Sequence, residues 1–366
     1  MKLKDFKVER YFAKYEFSAP FLLSCSDCEP LTLQELLALA DKDSLKQWNN
    51  LWLGYTDSQG SPAVRKEIAK MYTSTGEDNI LTVVPQEGIF LTMHGLLKKG
   101  DHIIAPFPAY QSLYENACSI GCEVSFWKPE SGTWRFNIQD LKSMMKKNTR
   151  MIIINFPHNP TGSMITNQEL HEIVALAKKQ DCYIFSDEMY RLLEFDKKNR
   201  LDSVCDIYQK GICLFGLSKS FGLPGLRFGW LASQNQDAFE KIMALKDYLT
   251  ICGSAPSEAL ALIALRVKDA IIERNNTIVK ENLKLLKNFV ERYSDIFSLS
   301  DPQAGSIAFV EYKGSGTVDA FAQKCVKEQG VMILPGSTFD YPGNYFRVGL
   351  GRKNFSKVLQ QFEKCL

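Results

Sequence analysis

The sequence has no surplus of one charge, no long apolar run, no internal repeat and no tract of biased composition. Its 44 basic and 42 acidic residues leave a formal net charge of +2, which removes the electrostatic case for a nucleic acid or an anionic membrane as partner. Small anionic ligands stay open, because they answer to local charge. No stretch approaches the roughly 20 apolar residues that a helix needs to cross a bilayer. The N-terminal MKLKDFKVERYFAKYEF carries charge throughout and lacks the apolar centre of a signal peptide. The ten cysteines follow no repeating spacing. Cys25 and Cys28 form one CxxC, with no second cysteine or histidine pair to complete a zinc set. Reduced thiols in a cytoplasmic protein are the reading that follows, and no metal site is expected.

What is present is ordinary for a globular chain: 45% apolar and 23% charged residues over 366 positions. That length exceeds one comfortable core and predicts two domains. The middle of the chain alternates strand and helix patterns. DHIIA (101–105) and Glu123–Trp127 read as strands, with a helix over Pro108–Ser119 between them. MIIINF (151–156) is a continuous apolar run, as a strand covered on both faces requires. After the turn PHNPTG, Thr166 and Glu169 form a capping box, and Leu170, Ile173, Val174 and Ala177 follow helical spacing. CYIFS (182–186) and Ile212–Gly216 are further strands. These βαβ units predict an α/β fold with a mainly parallel sheet. Beyond about residue 240 the pattern is mainly helical, including Ile278–Tyr293, and ends in strands within SIAFVEY, GVMILPG and YFRVGLG. The expected organisation is an N-terminal segment (1–45) packing with the small domain, a large domain (46–275) and a small α+β domain (276–366).

Ligands of parallel sheets bind beyond the C-terminal strand ends, where Asn159, Asp187, Tyr190 and Lys219 all fall. Lys219 lies in LFGLSKSFGLPGLRFGW (214–230), an apolar, glycine-rich run with no carboxylate to pair it. Desolvation lowers an amine's pKa, as a nucleophilic lysine needs. Ser218 and Arg227 beside it suit a bound phosphate. Alone, such a lysine is commonly a paired or snorkelling side chain, and such glycines a buried turn.

The run GLSKSFGLPGLRFG resembles the lysine motif of fold-type I pyridoxal-phosphate enzymes, aminotransferase class I/II. NFPHNPTG (155–162), SDEMYR (186–191), YFRVGLG (345–351) and GYTDSQGSPAVRKEIA (54–69) are similar to the family's other motifs, in the family's order. The resemblance spans nearly the whole chain. It implies pyridoxal 5′-phosphate as cofactor, joined to Lys219 as a Schiff base, with Lys219 also moving the substrate's Cα proton. It implies Asp187 under the ring nitrogen, Tyr190 and Asn159 at the phenolic oxygen, and Tyr110 stacked on the ring. Pro85, Gln86, Ser218 and Arg227 would line the phosphate site. Tyr55 would reach the partner subunit's phosphate in a homodimer, and Arg347, with Asn159 beside it, would clamp the substrate α-carboxylate.

Three departures stand out: Val84-Pro85-Gln86-Glu87-Gly88 in the phosphate cup, Gly216 where serine is frequent, and Cys28-Glu29-Pro30 in an N-terminal loop. Pro85 has no N–H to offer, although it suits the first turn of a helix. Glu87 must then turn its carboxylate away, and the amides from Gln86 onward are left to face an anion. The expected activity is transfer of an amino group from an L-amino acid to a 2-oxo acid. A C–S β-lyase or a cyclase of the capreomycidine synthase kind is the alternative. Arg352 receives no role.

Overall fold

The structure is a computed structural model that describes residues 3–366. A two-residue strand, β1 (Phe21–Leu22), precedes a seven-stranded sheet. That sheet comprises β2 (Ile80–Val83), β3 (His102–Pro106), β4 (Glu123–Trp127), β5 (Thr149–Asn155), β6 (Tyr183–Asp187), β7 (Gly211–Gly216) and β8 (Gly229–Ala232). Its spatial order is β2-β8-β7-β6-β5-β3-β4. Every pairing is parallel except those of β8, which runs against both its neighbours.

Alternation along the central strands divides their side chains between two cores, as the two-residue pleat dictates. Ile152 and Ile154 of β5, Ile184 of β6, and Cys213 and Phe215 of β7 face one core. Met151, Ile153, Tyr183, Phe185, Ile212 and Leu214 face the other. Helices cover both faces, so these strands are apolar throughout. The helix Asn167–Gln180 shows the local logic. Glu169 N–H donates to Thr166 Oγ1 (3.2 Å), and Thr166 N–H donates to Glu169 Oε2 (2.7 Å). Leu170, Ile173, Val174 and Ala177 are buried on one stripe, each of the three larger ones contributing roughly 1.5–3 kcal/mol. Asp181 closes the helix with a left-handed φ of 57°.

The smaller unit has a four-stranded antiparallel sheet, β12-β13-β10-β9. These strands are β9 (Phe297–Leu299), β10 (Ile307–Tyr312), β12 (Leu334–Pro335) and β13 (Tyr345–Gly349). The remaining strand, β11 (Val331–Met332), pairs in parallel with β1. Val279, Leu283, Leu286 and Phe289 of the long helix Lys268–Arg292 pack onto this unit together with Phe346, Val358 and Phe362.

Several expectations need adjustment. The helix expected from Pro108 begins at Ser112. GVMILPG forms two short strands in different sheets, not one strand. The expected division at 275/276 falls inside the continuous helix Lys268–Arg292. Of the N-terminal segment, β1 joins the small unit, whereas Leu36 belongs to the large unit's core with Leu260–Leu265. Among the described residues, no helix is long and apolar enough to cross a membrane, and no cluster of histidine, cysteine and acidic side chains is placed to hold a metal ion.

Candidate active site

The C-terminal ends of β5, β6 and β7 open onto a cavity of about 440 Å³. The large unit supplies Pro85, Gln86, Tyr110, Asn155, Asn159, Asp187, Tyr190, Ser218, Lys219 and Arg227, and the small unit supplies Arg347 and Arg352. A third wall comes from the N-terminal segment: Glu9, Phe12, Glu16, Cys25, Ser26 and Asp27.

Asp187 is the last residue of β6, so the strand's own register sets its position. Its Oδ1 accepts only the Met189 N–H within the chain (3.1 Å). Burial pushes its carboxyl up to about 7, with that hydrogen bond and the Lys219 charge opposing. Asn155 ends the neighbouring β5. Its amide donates to the Asp187 carbonyl (3.1 Å), and its Oδ1 accepts the Asn159 backbone N–H (3.0 Å). Asn155 thereby ties the two strand ends that carry Asp187 and Asn159.

Lys219 follows β7, and its ammonium donates to Ser26 Oγ at 2.7 Å. Burial holds its pKa below the ordinary lysine value; Asp27 opposes that shift and Arg347 reinforces it. The Tyr190 hydroxyl is buried and has no hydrogen-bond partner among the described residues. Burial raises it to about 12, against the pull of Arg347.

Arg347, on β13, is 2% exposed and has no carboxylate partner among the described residues. Its Nη1 donates to Asn159 Oδ1 (3.3 Å) and its Nη2 to the Ser24 carbonyl (3.0 Å), while Nε has no partner. Its guanidinium lies 5.8 Å from the Phe12 ring and 5.6 Å from the Phe339 ring. Burial pulls its pKa down. A buried guanidinium with a free N–H costs several kcal/mol unless an anion meets it.

The motif glycines have steric reasons. A Cβ on Gly349 would stand 1.7 Å from the Cys25 carbonyl oxygen, so glycine there lets the 23–29 strap close on β13. A Cβ on Gly216 would meet Pro85 Cγ at 2.8 Å. The two departures at Pro85 and Gly216 are therefore one feature: the pyrrolidine ring fills the space a side chain at 216 would need.

Gln86, in the first turn of the helix Pro85–Leu96, donates to Ser112 Oγ (2.6 Å) and leaves Oε1 buried without a partner. Glu87 turns away, accepting from Thr250 Oγ1 at 2.6 Å. Ser218 is buried at the cavity wall. Arg227 is exposed at its edge with a left-handed φ of 49°. Tyr110 donates to Glu9 Oε1 (2.9 Å). Tyr55 is not brought into the cavity: it is 86% exposed on the surface of the chain. Sequence reasoning missed Asn155, Glu9 and Glu16; Ser26 and Asp27 lie in the segment around Phe21–Glu29 that the sequence places at the side-chain pocket, without being singled out. Arg352, which received no role, lines the cavity and donates to Asp27 Oδ2 at 2.8 Å.

Comparison with known proteins places this geometry. A PLP-dependent aminotransferase from Streptococcus suis is 32% identical, superposes with a TM-score of 0.93, and is matched over 100% of this chain and 98% of its own. Capreomycidine synthase of Streptomyces vinaceus is 27% identical over 92% of this chain and 86% of its length. An aspartate aminotransferase of Pyrococcus horikoshii is 25% identical over 86% and 83%. The family model for aminotransferase class I and II matches residues 23–358. The chain therefore belongs to aminotransferase class I and II, an enzyme family whose cofactor is pyridoxal 5′-phosphate.

Proposed function

We propose that this protein moves the amino group of an L-amino acid to a 2-oxo acid, with Lys219 as the covalent anchor of the cofactor. The observation that carries the reading is the convergence of Lys219, Asp187, Tyr190 and an unpaired Arg347 on one cavity.

The residues present fit pyridoxal phosphate. The buried Tyr190 hydroxyl and Arg347 Nε have no partner within the chain. Asp187 is a buried carboxyl with no cation in hydrogen-bond range, which suits a protonated ring nitrogen. When bound, the cofactor supplies an electrophilic aldehyde and a ring that withdraws charge from the substrate's Cα. The protein does the rest. Lys219, whose pKa burial lowers, would take the proton from Cα and hand it back once the cofactor is bound. Asp187 holds a proton at the ring nitrogen. Tyr190 and Asn159 serve the phenolic oxygen, and Tyr110 offers its ring. Ser218, Arg227 and the amides from Gln86 onward serve the phosphate, with Pro85 shaping that edge. Arg347, backed by Asn159, receives the α-carboxylate through its fork of donors.

The assembly we propose is a homodimer in the cytoplasm. Trp52, Leu53 and Tyr55 are exposed, as are Tyr248, Leu249 and Ile251. The two segments meet where Thr56 Oγ1 donates to the Gly253 carbonyl (3.0 Å). Contiguous exposed apolar side chains mark an association surface. Mixing a Tyr55 variant with a Lys219 variant is expected to restore part of the activity, and an active monomer defeats the assignment.

The reaction type is tested by single-turnover spectra with a panel of L-amino acids and no 2-oxo acid. At least one amino acid is expected to consume the cofactor's visible band stoichiometrically and yield its matching 2-oxo acid. The second reading, elimination or cyclisation, draws on the similarity to capreomycidine synthase over 92% of the chain. Sustained ammonia and pyruvate from a cysteine-type substrate, or a cyclised product, supports it instead.

A further inference from the structure

The charges around the cavity do not balance once the proposed roles are assigned. Four acidic side chains line it (Glu9, Glu16, Asp27, Asp187) against four basic ones (Lys219, Arg227, Arg347, Arg352). Asp187, Lys219, Arg227 and Arg347 are taken up by the cofactor and the α-carboxylate. Three carboxylates then face one guanidinium, and that guanidinium is held by Asp27 at 2.8 Å. Among the described residues that line the cavity, no free cation remains to meet an acidic substrate side chain.

The three carboxylates differ in how well they are satisfied. Glu9 accepts the Tyr110 hydroxyl at 2.9 Å, and Asp27 accepts from Arg352. Glu16, on the turn that follows the helix Lys7–Tyr15, accepts no hydrogen bond and makes no ion pair with any described residue. Burial and repulsion from Asp27 and Glu9 raise its pKa, against the opposing pull of Lys219 and Arg352. With its nearest cations committed elsewhere, a half-buried carboxylate in such company is stabilised by an arriving positive charge. That the cavity takes a ligand follows from the unpartnered Tyr190 hydroxyl and Arg347 Nε, both on residues 2% exposed and both assigned above to the cofactor and the α-carboxylate.

We propose that the amino acid bound in this cavity carries a cationic side chain, a guanidinium or an ammonium, received by Glu16 and Asp27 with Glu9 at the rim. The assignment rests on the reading of the cavity as an amino-acid site. Arg347 fixes one end of the substrate, and the N-terminal wall sorts the other by charge. Specificity of this sort comes as much from rejecting carboxylates as from attracting cations.

The test is calorimetric binding to the holoenzyme after borohydride has fixed the cofactor and stopped turnover. The probes are two matched pairs, L-arginine against L-citrulline and L-lysine against L-norleucine, together with L-glutamate. The cationic member of at least one pair is expected to bind tenfold or more tighter than its neutral partner, with L-glutamate weakest. Glu16→Gln is expected to bring that ratio within about threefold, with the cofactor's absorbance unchanged as the control for folding. Glu16→Asp is expected to retain the preference. Equal binding within both pairs, or a preference for L-glutamate, overturns the cationic assignment and leaves the amino-acid site standing. A ratio that survives both Glu16→Gln and Asp27→Asn overturns the assignment to these residues. If none of the five binds, and no amino acid yields a 2-oxo acid, the underlying reading fails as well.

Discussion

Two walls of the same cavity are built on opposite principles. The strand-end wall places Asn155, Asp187 and Lys219 by the register of adjacent parallel strands, each a few residues from a buried apolar run. The N-terminal wall places Glu9, Ser26 and Asp27 through contacts between residues far apart in the chain, and Glu16 by the last turn of a helix. Ser26 meets Lys219 across 193 positions and Asp27 meets Arg352 across 325. The first wall carries groups suited to chemistry common to many amino acids. The second carries groups suited to choosing among them. A sheet is a rigid base for the first task, and an added segment can change without disturbing it.

The largest expected effect lies on the strand-end wall. Lys219→Ala is expected to lower kcat by about a thousandfold or more, since anchor and proton carrier are lost together. Borohydride followed by mass spectrometry is expected to leave the variant without covalently attached cofactor. Attachment through another lysine breaks the assignment.

Arg347→Lys keeps the charge and loses the fork. It is expected to raise KM about ten- to a hundredfold, with a smaller change in kcat, because a bidentate contact is replaced by a point charge. Steady-state kinetics with a reactive amino acid reads this directly, and an unchanged KM removes Arg347 from the carboxylate site.

Phe12→Ala probes the N-terminal wall. Its ring is 5.8 Å from the Arg347 guanidinium, and a contact of that kind is worth roughly 0.5–2 kcal/mol. An increase in KM of about two- to thirtyfold is expected, with cofactor affinity unaltered. Loss of cofactor would show that the two walls are not separable.

The smallest effect separates stability from chemistry. The Asp187 carboxyl is raised from 3.8 to about 7 in the folded chain without cofactor. Below about pH 4 both folded and unfolded chains hold the proton. Between that value and 7 the unfolded chain releases it and the folded chain keeps it, so stability falls as pH rises. Cofactor-free protein is expected to lose thermal stability across that window, and Asp187→Asn to lose less. Equal slopes would place the titration elsewhere.

The difference between the walls also explains what could be read in advance. Asp187, Asn159, Tyr190 and Lys219 sit where an apolar strand gives way to a polar turn, a signal contained within ten residues. Asn155 had such a signal, as the polar residue inside MIIINF, but its partners lie on other segments. Asp27 falls in a segment expected at the pocket, but nothing local marks it within that segment, since its partner Arg352 is 325 positions away. Glu16 has no local signal either, being one of many charged residues in the N-terminal stretch. The antiparallel β8 escaped for another reason. GWLA is four residues long, buried on both faces, and shows no alternation. Pro85 and Gly216 are far apart in the chain, and only their closeness in space shows that the proline ring and the backbone at 228–229 together leave no room for a side chain at 216.

The N-terminal wall, residues 3–29, has a consequence for how the molecule is made. Lys7 pairs with Asp340, Ser24 accepts from Arg347, and the Leu23 carbonyl accepts from the Gly349 N–H. On a ribosome adding about 5–20 residues per second, this segment waits roughly 20–60 s for its partners to be synthesised. The seven-stranded sheet, complete by residue 232, can form in that interval. The wall proposed to meet the substrate's side chain thus precedes its partner Arg347 by 323 positions at Ser24, and closing so long a loop is slow. A nascent chain stalled before β13 would carry Asp187 and Lys219 on a complete sheet and lack Arg347, the group proposed to receive the α-carboxylate.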